Sequence, residues 1–218
     1  MQSISKYVAE FIGTFFLVFT IGSVVIAANP LAPLAIGSVL MVMIFAGGHI
    51  SGAHYNPAVT LGVFMRGKCS AADILPYMAS QVAGAVVAGL AVGFLQSGNM
   101  PVAAPETLPS SIQNVILAEV LFTFALVYVV LNVATAAGTA NNSFYGLAIG
   151  FTVMAGALAV GKISGGVFNP AVAVGLGVMK LANWNQIWVY PAANFGGAIW
   201  AAIVFRVVNG ADSDDQRT

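Results

Sequence analysis

The chain has 218 residues, of which 59% are hydrophobic and only 6% charged, with a formal net charge of zero and a mean hydropathy of +0.92. Soluble domains carry about 25% charged residues, so these proportions argue against a water-soluble fold, and the lack of a basic patch argues against nucleic acid as a partner. Cys69 is the only cysteine, which excludes an intrachain disulfide.

A helix needs about 20 mostly apolar residues to cross a bilayer. The first apolar run, residues 7–28, follows Lys6 and outlasts the apolar core of a signal peptide, so it reads as a retained span. The second, 33–50, leads into "GGHISGAHYNPAVTLG" at 47–62, whose apolar segment 56–66 is too short to span. The third run is 73–97. The connection 98–112 holds Pro101, Pro105, Glu106 and Pro109 and no basic residue. A fourth span follows at 113–135 and a fifth at 144–161. The fifth leads into "VGKISGGVFNPAVAVG" at 160–175, with a second short segment at 169–180. The sixth span is 186–208, and a polar tail, "ADSDDQRT", occupies 211–218.

The chain repeats itself. "LAIG" at 34–37 recurs at 147–150, and "ISGAHYNPAV" at 50–59 recurs as "ISGGVFNPAV" at 163–172, an offset of 113. Tyr77, Gln81 and Gly84 align with Tyr190, Asn194 and Gly197 at the same offset, and Glu10 aligns with Glu119 at 109. Matches in register along the chain mark a duplication, with repeats at about 1–98 and 112–210 in a single transmembrane domain, 1–218. Three spans per half force opposite orientations in the membrane, which is an inverted repeat. The predicted fold is all-α: six transmembrane helices and two re-entrant half-helices. With six spans the termini share one side. Lys6, Arg66, Lys68, Arg206 and Arg217 fall there and Lys162 and Lys180 opposite, which predicts cytoplasmic termini and an outer 98–112 connection.

Asn caps helix N-termini well, and Pro suits the first helical position. Asn56-Pro57-Ala58 and Asn169-Pro170-Ala171 therefore read as two helix starts. The glycines before them, Gly47, Gly48, Gly52, Gly161, Gly165 and Gly166, predict irregular backbone, which membranes tolerate only where it is buried or lines a watery cavity. Inverted halves bring the two N-termini together. Two positive dipole ends and the two amide donors of each Asn then face one point, a barrier to protons and cations that a neutral molecule can pass.

On these residues the chain resembles the aquaporin, or major intrinsic protein, family over nearly its whole length: two Asn-Pro-Ala motifs, "HISGAHYNPAVT" in the first, and the Ala-Glu pairs of the first and fourth spans. The resemblance implies a homotetramer in the lipid membrane with one pore per subunit, narrowed at Asn56 and Asn169. It implies pore-lining carbonyls at Ala53, His54, Tyr55, Gly166, Val167 and Phe168. It implies that Glu10 and Glu119 anchor the loop backbone. It also places an outer filter at Ile36, Ala157, Gly166 and Val172. Water-selective members usually carry an aromatic, a histidine, a small residue and an arginine there, and here Val172 stands in the arginine position. A wider, apolar filter follows, open to glycerol, urea, ammonia or dissolved gases beside water.

Glu10 and Glu119 also admit a proton-coupling role, but their symmetry across the repeat fits anchoring better. His49 is expected to tie the first loop down and His54 to pack beside the pore. With no Cys, Asp or Glu near them, neither a metal nor a cofactor is expected. Lys162, on the outer loop, is a candidate substitute charge for the filter. Tyr77, Trp184, Trp188 and Tyr190 suit the membrane interface. No catalytic set is present, so an enzyme is not expected. The rival readings are a secondary transporter of inverted-repeat type and a closed-pore structural membrane protein. Short loops and no targeting extension predict a bacterial inner membrane.

Overall fold

The computed structural model describes residues 2–210; the 211–218 tail, with Arg217, lies outside the described residues. The chain folds into α1 (Gln2–Ile26), α2 (Ala32–Ser51), α3 (Pro57–Met65), α4 (Ala71–Leu95), α5 (Ile112–Thr135), α6 (Tyr145–Ser164), α7 (Pro170–Val178) and α8 (Val189–Asn209). A 3₁₀ turn at Ala137–Thr139 precedes α6. Six helices have 20 to 25 residues, about 30 Å or more at 1.5 Å per residue, and α3 and α7 have 9 each. The order long, long, short, long occurs twice.

Small residues set the helix crossings. A Cβ on Gly84 would lie 2.5 Å from the Phe11 carbonyl, and one on Gly197 would lie 2.6 Å from the Val120 carbonyl. These equivalent glycines let α4 lie on α1 and α8 on α5 with backbones nearly touching. Where the halves meet, α2 crosses α6 at another equivalent pair: a Cβ on Gly37 would lie 2.7 Å from the Gly150 carbonyl.

The ends of α2 and α6 correct the glycine reading. Gly47, Gly48 and Gly161 are helical. Only Gly52 (φ 83°), Gly165 (φ 93°) and Gly166 (φ 66°) need the left-handed region, and the first two end their helices by donating to the Gly48 and Gly161 carbonyls. Gly47 is small for another reason: the Tyr55 hydroxyl occupies the space of its Cβ. Because α6 runs on to Ser164, Lys162 lies in its last turn, exposed, where its charge complements the helix C-terminus. The last helix starts at Val189 rather than 186, since residues 184–188 form turns.

Candidate pore

Glu10 and Glu119 organise the two irregular loops. Glu10 accepts from Ser51 Oγ (2.7 Å), His54 N (2.9 Å), Tyr55 N (2.6 Å) and Gln81 Nε2 (2.8 Å). Glu119 accepts from Ser164 Oγ (2.7 Å), Val167 N (2.9 Å), Phe168 N (2.7 Å) and Asn194 Nδ2 (2.9 Å). Both glutamates are fully buried. Four donors on two oxygens match the four lone-pair sites of a carboxylate. The serines act again through Ala53 N and Gly166 N, which donate to their Oγ atoms at 3.1 Å.

Those bonds hold a backbone that would otherwise relax. Ala53 (φ 51°) and Tyr55 (φ 51°) are left-handed, as are their counterparts Gly166 and Phe168 (φ 48°). Such a conformation costs a non-glycine residue about 1–3 kcal/mol. The two aromatics are seated by opposite means. In the first half Gly13 makes room for the Tyr55 ring, and the Tyr55 hydroxyl donates to the Met43 carbonyl at 2.9 Å. In the second half Phe122 replaces Gly13 and Gly156 replaces Met43. A Cβ on Gly156 would lie 2.6 Å from the Phe168 ring.

Each Asn is the N-cap of its half-helix. Asn56 Oδ1 accepts from Ala58 N at 2.8 Å, and Asn169 Oδ1 accepts from Ala171 N at 2.9 Å. Pro57 and Pro170 take the first helical position. The two amides do not both stay free. Asn56 Nδ2 donates to the Phe168 carbonyl and Asn169 Nδ2 to the Tyr55 carbonyl, each at 2.9 Å. Each amide keeps one N–H, half the number expected from the capping role alone.

A cavity of about 390 Å³ runs past this point. At one end Thr107 and Leu108 of the 98–112 connection line it; at the other it reaches Val130 and Ile149. Ala53, His54, Tyr55, Asn56, Val167, Phe168 and Asn169 all contribute to its wall. So do Ile36, Ala157, Gly166 and Val172, the four positions of the expected filter. Gly166 lies against Ala157, whose Cα would be 3.3 Å from an added Cβ. No side chain among the four carries a polar atom. Lys162 does not line the cavity.

Several residues have places the sequence reading did not give them. Tyr77 and Tyr190 are buried, at 5% and 4% exposure, rather than interfacial; their hydroxyls donate to the Ser51 and Ser164 carbonyls at 2.7 and 3.1 Å. Trp184 and Trp188 are exposed. His49 lies exposed on the last turn of α2 and not in the loop. His54 Nδ1 is 3.1 Å from Thr60 Oγ1, whose hydroxyl donates to the Asn56 carbonyl. Gln81, Asn194, Ser51 and Ser164 had no assigned role, although the repeat aligns them; each completes a glutamate shell.

Comparison with known proteins follows the same lines. A family model described as Major intrinsic protein matches residues 1–205. Aquaporin NIP1-3 of Oryza sativa subsp. japonica is 37% identical over 227 residues, covering 97% of this chain and 76% of that protein. Glycerol uptake facilitator protein-like 6 of Lactiplantibacillus plantarum is 36% identical over 215 residues, covering 95% and 99%. In fold, the chain is similar to the aquaglyceroporin from Plasmodium falciparum, with a TM-score of 0.81 at 22% identity over 96% of this chain and 98% of that one. Six membrane-length helices, two capped half-helices meeting at a cavity and a family match over residues 1–205 agree: this chain is an integral membrane protein and belongs to the major intrinsic protein family.

Proposed function

We propose that the protein is a passive channel for water and small neutral solutes, with glycerol, urea and ammonia among them. The observation that carries this is that one cavity is lined by both half-helix N-termini and by Ile36, Ala157, Gly166 and Val172. Asn56 and Asn169 form the central narrowing. Each offers its remaining N–H to a passing oxygen, and the two positive dipole ends repel protons and cations. The carbonyls of Ala53, His54, Gly166 and Val167 replace lost hydration along the wall. Those of Tyr55 and Phe168 do so with the lone pair left beside their asparagine bonds.

The second narrowing is the apolar set, which has no arginine to reject larger neutral solutes. The similarity to a protein named for glycerol uptake supports a polyol as cargo. Glu10 and Glu119 hold the loops and do not couple transport to protons, because all four of their hydrogen bonds are received from fixed donors. The protein works as a homotetramer in a bacterial inner membrane, with cytoplasmic termini and the 98–112 connection outside. Its repeats, 1–98 and 112–210, form one domain, and it is not an enzyme.

The test is a stopped-flow series on proteoliposomes with water, glycerol, urea and ammonia. Linear, gradient-driven flux of at least one solute above empty vesicles is expected. No flux of any of the four overturns the channel, and uptake that follows a proton or sodium gradient replaces it with a transporter.

A further inference from the structure

The 98–112 connection joins the two halves and so has no counterpart in the repeat. Pro105, Thr107, Leu108 and Pro109 carry it along one end of the cavity, the end that the topology above makes the outer mouth. Pro105, Thr107 and Pro109 are exposed, whereas Leu108 is half-buried and packs against the hydrophobic core. A leucine between exposed neighbours is thus turned inward at the entrance of the passage.

Residues 98–111 form no helix or strand, so side-chain bonds set their place. Lys180 Nζ donates to the Val102 carbonyl at 3.2 Å, and Asn183 Nδ2 donates to the Pro105 carbonyl at 3.1 Å. Asn183 is itself held, its Oδ1 accepting from Asn185 N at 2.9 Å. Past Leu108, Asn114 Nδ2 donates to Ser110 Oγ at 3.2 Å. These bonds bracket Leu108, and Pro101, Pro105 and Pro109 stiffen the segment between them. The repeat carries Lys180 onto Gly67 and Asn183 onto Ser70, whose Oγ donates to Asp73 instead at 2.8 Å. The anchoring donors therefore belong to the half whose end this connection covers.

We propose that Leu108 is a size-limiting residue at the outer mouth, set ahead of the four-residue filter, and that Asn183 and Lys180 are the positioning residues that hold it there. The filter itself has neither an arginine nor an aromatic ring to exclude a larger solute. Leu108 narrows the entrance and offers no hydrogen bond, so each further hydroxyl of a linear polyol sheds water there without compensation. Glycerol passes, and its longer homologues are held back. The inference rests on the channel reading above and adds to it the residue that limits the size of the cargo.

The experiment compares full-length wild type with Leu108→Ala, Leu108→Phe, Asn183→Ala and the double variant Leu108→Ala/Asn183→Ala in liposomes. Water, glycerol and erythritol are the probes, and polyol permeabilities are taken as ratios to water, which cancels differences in the amount of folded channel. Leu108→Ala should raise the erythritol ratio severalfold and the glycerol ratio less, and Leu108→Phe should lower both. Asn183→Ala should raise the erythritol ratio by about two- to tenfold at most, the worth of one hydrogen bond. The double variant should rise no further than Leu108→Ala, because Asn183 acts through Leu108. Unchanged ratios in a conducting Leu108→Ala protein overturn the size limit and leave the channel standing. So does a wild type that passes erythritol as readily as glycerol. Loss of all flux in both single Leu108 variants also overturns it, since the residue is then structural. A rise from Asn183→Ala that adds in full to that of Leu108→Ala removes the positioning role. A wild type that passes no small solute sinks the channel reading itself.

Discussion

Asn56 and Asn169 each donate to the carbonyl that immediately precedes the other, Asn56 to Phe168 and Asn169 to Tyr55, both at 2.9 Å. The two half-helix starts therefore stitch each other in place, one hydrogen bond in each direction.

This reciprocity makes Asn169→Ala a double lesion. It removes an N-cap, worth about 1 kcal/mol, and frees the Tyr55 carbonyl in the other half. We expect a lower melting temperature in detergent and a faster proton leak in liposomes loaded with a pH-sensitive dye. A leak equal to wild type would take the barrier away from this pair.

Glu119→Gln keeps the shape of the anchor but turns an NH₂ toward backbone and side-chain donors. Hydrogen bonds to a charged, buried group are the strong ones, and we expect a loss of about 2–5 kcal/mol in stability. The protein that remains folded should carry solute at a rate indifferent to an imposed proton gradient. Gradient-dependent flux in wild type that Glu119→Gln abolishes would restore the proton-coupling role.

Val172→Arg puts the missing charge at the apolar throat. The glycerol-to-water permeability ratio should fall severalfold as the passage narrows and gains a donor. A ratio that does not move removes Val172 from the selectivity filter.

Gly13→Ala intrudes on the Tyr55 ring, and overpacking of this kind costs about 1–3 kcal/mol. A smaller occupant, Tyr55→Leu, should relieve much of that cost, giving a coupling energy of about 1 kcal/mol or more in a double-mutant cycle. Additive losses would show that the two residues are not in conflict.

Cys69 reports orientation. It lies in the loop between α3 and α4, half-buried, and burial pushes its thiol above the ordinary range, with Asp73 adding to the effect. A membrane-impermeant maleimide should label it slowly, faster as pH rises, and only from the cytoplasmic face. Labelling of intact cells from outside would reverse the topology.

Much of this arrangement was legible in the sequence because it was written twice. Composition alone calls for spans, and the repeated Asn-Pro-Ala with its capping chemistry locates both half-helices to within two residues of α3 and α7. The glycines were harder. Gly47 and Gly52 look alike in sequence; one is helical and makes room for a hydroxyl, and the other turns the chain, and only the packed Tyr55 tells them apart. Tyr77 and Tyr190 look like interfacial aromatics until their serine carbonyl partners are placed. The 98–112 connection has no periodicity to read, so nothing local shows that it folds onto the cavity mouth. The filter positions came from family resemblance; their apolar character is plain from the residues themselves.

The exchange of bulk around the loop aromatics has a consequence for descent. Gly13, Met43 and Tyr55 lie in one repeat; Phe122, Gly156 and Phe168 lie in the other. Each repeat keeps both the seat and its occupant, so the two copies have diverged without disturbing each other's interior. A single residue moved between equivalent positions brings a clash or a void, so each loop aromatic can change only together with the glycine that seats it.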